Sequence, residues 1–315
     1  MTPLEASQEI DNYLKYMQNI KTCSPHTVRA YKKDLDGFFA PVKSSKSTTY
    51  DLRTYFSTQL LDLGGLSLAS RNRKTGTLKS FLNWLYETRK IDSALSELYH
   101  SPKVPRKIPH FISFDEVSGC LQFLSNRATP IKEFEELQHR QQRLLFLFLY
   151  GAGLRISEAC QLKVKDVNEF DRKILIRGKG AKERIVVCPE FVWDEWIHYR
   201  NYVKSRLTSV PNKYEFVFFR YQDENFSDEP INERTGYGWI RSIGAQSGLT
   251  QSLNPHALRH SFATHLLNSG ANLRVIQSLL GHSTLAATEK YTHLNLSQLY
   301  QTMEKAHPLG KLKKP

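Results

Sequence analysis

Cysteine is scarce and scattered: Cys23, Cys120, Cys160 and Cys188 stand far apart in 315 residues, with no CxxC pair and no Cys/His spacing of the metal-binding kind. That argues against a zinc site and a disulfide framework, and leaves buried thiols in a reducing compartment as the expectation. Long apolar runs are missing too. None approaches the roughly 18 residues of a membrane span, and the opening MTPLEASQEI has no basic region followed by an apolar one. The protein therefore reads as soluble and cytoplasmic, without a membrane partner. Carboxylates do not cluster as paired magnesium ions require, which argues against a metal-dependent nuclease. The stretch GKGAKER lacks the GxxxxGK[ST] spacing of a phosphate-binding loop. Neither a metal nor another cofactor is expected.

Acidic residues are the minority charge. There are 31 Asp and Glu against 44 Lys and Arg, a formal +13, an excess that suits a polyanion such as nucleic acid. Before His110 there are 17 basic and 10 acidic residues, and from it onward 27 and 21, so the halves carry +7 and +6. Length favours two domains, and 40% hydrophobic and 11% aromatic content is ample for their cores. Between them lies SPKVPRKIPH, whose three prolines and three cations cannot continue a helix. The expected organisation is a helical DNA-binding domain over 1–100, a basic Pro-rich linker over 101–110, and a second domain over 111–315 with a tail over 295–315.

In the first domain, Ile10, Leu14 and Met17 predict one helix over 3–20. Ser24 and Pro25 predict an N-cap and first turn for the next. A third helix is expected over 51–63 and a fourth after Ser67. The fourth carries Arg71, Arg73, Lys74 and Lys79, read together as DNA-binding residues, although a solvated helix face is the plainer explanation of each.

The second domain opens with ISFDEVSGCLQFL, where Ser113 and Glu116 make a capping box. Residues 126–142 read as a surface loop with part of a helix. RLLFLFLYGAG reads as a buried helix ended by Gly151 and Gly153, and LRISEACQLKVKDV as a further helix presenting Arg155. KILIRGKGAKERIVV alternates on both sides of a glycine-lysine turn, predicting a β-hairpin with Lys179 at its tip. The remainder reads as helical, with Trp193 and Trp196 on one amphipathic helix, EFVFF as a buried segment, residues 221–234 as a surface loop and 237–247 as a helix. The fold class is thus mainly α with a small hairpin or sheet in the C-terminal domain.

The chemistry concentrates in PHALRHSFATHLLNSGANLRVIQSLLGHSTLAATEKYTHL. His256 and Arg259, three apart on a helix, lie on one face and can offer a proton acceptor and a forked clamp to one phosphodiester. Attack on such a phosphate builds charge on its nonbridging oxygens, which Arg155 and Arg259 suit better than lysine because each is planar and two-pronged. A phenol has a pKa near 10, so Tyr291 as nucleophile needs His256 to take its proton. The leaving 5′ oxygen needs an acid, a role for Lys179. His282 would donate to the phosphate and help fix Tyr291, while Glu158 and His260 would orient the cations.

Arg155, Lys179, His256, Arg259, His282 and Tyr291 occur in that order within RISE, GKG, HALRH, LLGH and YTH. In this the chain resembles the tyrosine recombinases of the phage integrase family, and among them the bacterial Xer proteins. Its ending, AHP with a basic tail, resembles the XerC branch more than XerD. The resemblance covers nearly the whole chain. It implies a two-domain, C-shaped DNA clamp with an N-terminal core-binding bundle, a 3′-phosphotyrosyl intermediate and a Holliday junction. It also implies a homo- or hetero-tetramer on two specific double-stranded DNA sites, with a second Xer-type recombinase as one option and chromosome-dimer resolution as the role. The last helix, with Leu296, Leu299 and Met303, could fold back on its own domain or dock on a neighbour; the resemblance favours the neighbour. A phage or mobile-element integrase, a DNA-relaxing enzyme of the tyrosine type and an architectural DNA-binding protein remain the alternatives.

Overall fold

Side-chain caps and prolines set the helix starts in the computed structural model, which describes residues 1–44, 51–105, 111–126, 133–177, 183–206, 214–222, 225–280 and 293–311. The chain divides into two compact units, Met1–Lys107 and Ile108–Pro315.

In the first unit, Thr2 and Glu5 form a reciprocal capping box at the start of α1 (Pro3–Gln8). Where one helix was expected over 3–20 there are two, because the chain breaks at Glu9 before α2 (Ile10–Asn19). Ile10, Leu14 and Met17 are buried, as the spacing predicted. The Ser24 hydroxyl accepts from the Thr27 N–H at 3.2 Å and opens α3 (Pro25–Ser44), which continues through Pro41. Asp51 caps α4 (Leu52–Asp62) and Ser67 caps α5 (Leu68–Glu87). The core between them is aromatic. Phe39 meets Phe56 edge-on at 5.3 Å and Phe81 at 5.9 Å, and Tyr13 meets Phe81 at 5.2 Å. Each such ring, fully buried, contributes about 1.5–3 kcal/mol by its area alone.

In the second unit, Ser113 and Glu116 form the expected capping box on α6 (Phe114–Ser125). Next comes α7 (Glu133–Gly151), whose residues 144–150 are all 1% exposed or less. It starts within the segment read as a surface loop with part of a helix, and supplies the helical part from Glu133. Leu137, Gln141 and Leu144 keep one helical face buried, while Glu136 and Arg140 pair at 2.7 Å outside it.

The helix expected after Gly153 is short: α8 (Ile156–Cys160). It stops because residues 162–164 pair with another part of the chain. The Val217 N–H donates to the Leu162 carbonyl at 2.8 Å and the Val164 N–H to the Glu215 carbonyl at 2.9 Å. A three-stranded antiparallel sheet follows, β1 (Val167–Asn168), β2 (Lys173–Arg177) and β3 (Glu183–Val186) in that order. Its β2–β3 hairpin is the predicted one, with the tip, 178–182, outside the described residues. Trp193 and Trp196 are buried on α9 (Glu190–Arg206), and Val217, Phe218 and Phe219 form the expected buried segment.

Within 221–234, read as a loop, the described residues instead complete a second hairpin. In it β4 (Phe219–Gln222) pairs with β5 (Asn225–Pro230), and the Asn232 side chain then caps α10 (Glu233–Gln246). The last described helices are α11 (Pro255–Asn268), α12 (Leu273–Leu280) and α13 (His293–Ala306).

Of the two arrangements open to the tail, the described residues of this single chain take the one that folds back on its own unit. Leu299, Met303, Ala306 and Leu309 join the core of their own unit. His307 donates from Nε2 to the Tyr150 carbonyl at 3.2 Å and accepts at Nδ1 from the Leu309 N–H at 3.1 Å. Cys120, Cys160 and Cys188 are free, buried thiols, and Cys23 is free and half-buried. Among the described residues no helix is long and apolar enough to cross a membrane.

Candidate active site

The turn between α7 and α8 holds the first half of the site. Gly153 has φ +63, a left-handed conformation that favours glycine. A Cβ there would lie 2.7 Å from Phe262 Cε1, so the missing side chain lets α11 press against the turn. Two residues on, Arg155 is the N-cap of α8. Its N–H donates to Glu158 Oε2 and its Nη1 to Glu158 Oε1, both at 2.8 Å. The Arg155 side chain is 42% exposed while that of Glu158 is 6% exposed.

The second half comes from α11. Asn254 caps it, accepting from the Ala257 N–H at 2.9 Å, and Pro255 occupies its first turn. One turn in, Arg259 donates from Nη1 to the Gly153 carbonyl and from Nη2 to the Leu280 carbonyl, the latter at 2.6 Å. Its Nη1 also lies 3.9 Å from Glu158 Oε2. The two arginines read from sequence as one clamp therefore meet at one carboxylate.

A third guanidinium reaches the same carboxylate and was not anticipated. Arg184, on β3, donates to both oxygens of Glu158 at 2.7 Å each. The strand register could have revealed it. Val186 lies opposite Ile174 and Arg184 opposite Ile176, with both isoleucines buried, so alternation turns Arg184 inward.

The charges follow from this packing. Burial works to raise the Glu158 carboxyl, but hydrogen bonds and charge from Arg184, then Arg155, outweigh it and hold the group down at about 2. Burial, with the neighbouring Arg155 charge adding to it and Glu158 opposing, lowers Arg259 to about 10. Both stay ionised at neutral pH.

His256 sits one turn before Arg259 on α11, exposed, with its ring 6.3 Å from that of Tyr237. Tyr237 is a second neighbour that sequence reasoning missed. His260 is exposed on the same helix, one position beyond Arg259 and so on a different face. Among the described residues its side chain joins none of the ion pairs around Glu158. Lys179, His282 and Tyr291 lie outside the described residues.

The four cations of α5 belong to the first unit and do different things. Asp34, 1% exposed, pairs with Arg73 and, at 3.6 Å, with Lys74, and accepts from Thr77 Oγ1 at 3.1 Å. Lys74 is 22% exposed and Arg73 52%, so Lys74 is largely committed to the fold. Arg71 donates from Nε to the Leu66 carbonyl at 2.9 Å, and Lys79 is half-buried.

Comparison with known proteins gives a consistent result. Residues 111–298 match the phage integrase family, and residues 10–89 match the phage integrase N-terminal SAM-like domain. A protein of Thermodesulfovibrio yellowstonii named tyrosine recombinase XerC is 33% identical, covering 96% of this chain and 97% of the relative. One of Staphylococcus saprophyticus named tyrosine recombinase XerD is 31% identical, over 95% and 98%. Among solved structures, the XerH site-specific recombinase bound to its difH substrate in a pre-cleavage complex aligns with a TM-score of 0.64 at 22% identity, over 93% of this chain and 83% of that one. A lambda integrase dimer bound to a core site gives 0.64 at 15% identity, over 93% and 98%.

Proposed function

The chain belongs to the phage integrase family, and we propose that it is a site-specific tyrosine recombinase that cuts and rejoins double-stranded DNA. The observation that carries the reading is the convergence of Arg155 and Arg259 on Glu158, the first cation 42% exposed and the second 11%. Such a pair can fork onto the two nonbridging oxygens of one phosphodiester and hold the charge that grows there.

In the proposed reaction the Tyr291 oxygen attacks phosphorus and gives its proton to His256. The bond from phosphorus to the 5′ oxygen breaks, and that oxygen takes a proton from Lys179. The product is a 3′-phosphotyrosyl ester and a free 5′ hydroxyl. His282 donates to the phosphate. Because one phosphoester replaces another, the step is reversible without ATP or metal, and attack by the partner strand's 5′ hydroxyl yields a Holliday junction. The XerC and XerD names of the relatives support a role in resolving chromosome dimers during segregation. The assembly is a tetramer on two DNA sites, built from this chain alone or with a second Xer-type recombinase, in the cytoplasm. The first unit grips the duplex through α5.

A duplex nicked beside the scissile phosphate tests this. The protein should form a covalent complex in EDTA that persists through denaturation in SDS, and Tyr291→Phe should form none. A complex of equal yield with Tyr291→Phe would refute the assignment. Relaxation of any supercoiled plasmid without sequence-selective joining would point instead to a DNA-relaxing enzyme.

A further inference from the structure

Arg184 has no assigned task, yet the fold buries it at the centre of the charge cluster. Its side chain is 9% exposed. It occupies an inward position of the β2–β3 hairpin opposite Ile176, where alternation calls for an apolar residue. Its Nε is buried with no hydrogen-bond partner. An ion pair of this kind is a poor way to stabilise a core, since desolvation offsets most of the attraction and apolar replacements are often neutral or better. Something other than stability accounts for it.

The geometry around Glu158 supplies a reason. One carboxylate faces three guanidiniums. Arg184 takes both oxygens at 2.7 Å, Arg155 takes one side-chain bond at 2.8 Å, and Arg259 stays at 3.9 Å. A buried carboxylate left with only Arg155 and Arg259 would close on them, because an unsatisfied buried charge draws the nearest cation. That would neutralise the two groups meant for the phosphate.

We propose that Arg184 is a positioning residue for strand cleavage: by engaging both oxygens of Glu158 it limits Arg155 to one side-chain bond with that carboxylate and holds Arg259 off at 3.9 Å, leaving their remaining nitrogens to the scissile phosphate. The proposal rests on the recombinase reading above.

The test is single-turnover formation of the covalent complex on a nicked duplex. The duplex carries the sequence selected from DNA fragments that the protein retains. Rates are compared for the parent, Arg184→Met, Glu158→Gln and the double variant, with a melting temperature for each. Arg184→Met should be slower than the parent by about 30-fold. The double variant should be faster than Arg184→Met by about 10-fold and within about threefold of Glu158→Gln, because without the carboxylate charge Arg184 has nothing to restrain. On a substrate whose scissile phosphate is a neutral methylphosphonate, the Arg184→Met defect should shrink to within about threefold, since less charge needs holding.

A double variant as slow as Arg184→Met, or an undiminished defect on the methylphosphonate, overturns the proposal. So does an Arg184→Met rate matching the parent. Should Arg184→Met fail to fold, Arg184→Lys with and without Glu158→Gln carries the same comparison, because lysine cannot fork onto both oxygens. If the parent forms no covalent complex, or Tyr291→Phe forms one, the recombinase reading itself has failed, and the proposal falls with it for a different reason.

Discussion

Substituting Gly153 by alanine perturbs the site through the backbone and a single methyl group. Two penalties add. Holding alanine at φ +63 costs about 1–2 kcal/mol. A Cβ placed 2.7 and 2.8 Å from Phe262 Cε1 and Cδ1 costs about 1–3 kcal/mol more as α11 is forced outward. Alanine stiffens the unfolded chain, which returns about 0.4–1 kcal/mol. The net loss expected is about 2–4 kcal/mol, or a fall of roughly 1 M in the urea midpoint of the second unit. Trp193, Trp196 and Trp239 all lie in that unit, so their fluorescence reports its unfolding. In a Phe262→Leu background the clash is relieved and only the backbone penalty of about 1 kcal/mol should remain. An equal loss in both backgrounds would refute the steric argument, and a loss below 1 kcal/mol in the parent would refute both parts of it. Because the Gly153 carbonyl accepts from Arg259, covalent-complex formation should also slow in Gly153→Ala at temperatures where the protein remains folded.

Three further outcomes follow from other parts of the chain. His307 is fully buried beside Tyr150, Phe262 and His265, and burial depresses its ring to about 3 from an ordinary 6.5. The folded state binds fewer protons than the unfolded one, so its contribution to stability is complete above pH 6.5 and is lost as pH falls toward 3. At pH 5 the loss is about 2 kcal/mol, and His307→Gln should remove that part of the drop in urea midpoint between pH 7.5 and pH 5. Glu158, depressed from 4.5 to about 2, loses its contribution only below pH 4.5 and does not confound that comparison. Arg71→Ala should weaken DNA binding and lower the salt slope by about 0.9 per phosphate contact removed. Lys74→Ala, which strips a cation from buried Asp34, should instead lower the melting temperature measurably.

Local signals carried much of this architecture. Ser24 with Pro25 and Ser113 with Glu116 mark helix starts through bonds spanning three residues, and the run from Leu144 to Tyr150 has no polar face to place outside. The β2–β3 hairpin was readable because its apolar alternation flanks a glycine-lysine turn. What escaped depends on partners far along the chain. Residues 162–164 leave the helical path to pair with 215–217, and the polar strand Asn225–Pro230 has no alternation to betray it; β4 holds it in place. The same holds within the site. Arg155 and Arg259 were identified by their residue type and context, and Glu158 by its spacing from Arg155. Arg184 was passed over because an inward arginine on a strand reads as an exposed one unless its register is known. Likewise Lys74 looks like a free surface cation until Asp34, forty residues earlier, is seen beneath it.

A guanidinium is flat and of fixed width, and Arg259 uses two of its nitrogens as a spacer between the carbonyls of Gly153 and Leu280. Lysine, with one nitrogen, cannot gauge that separation. The chain leading on toward His282 and Tyr291 thus departs from an anchorage measured out by a side chain that, in the proposed reaction, also grips the phosphate. Replacing Arg259 would shift where that segment begins as well as remove a charge.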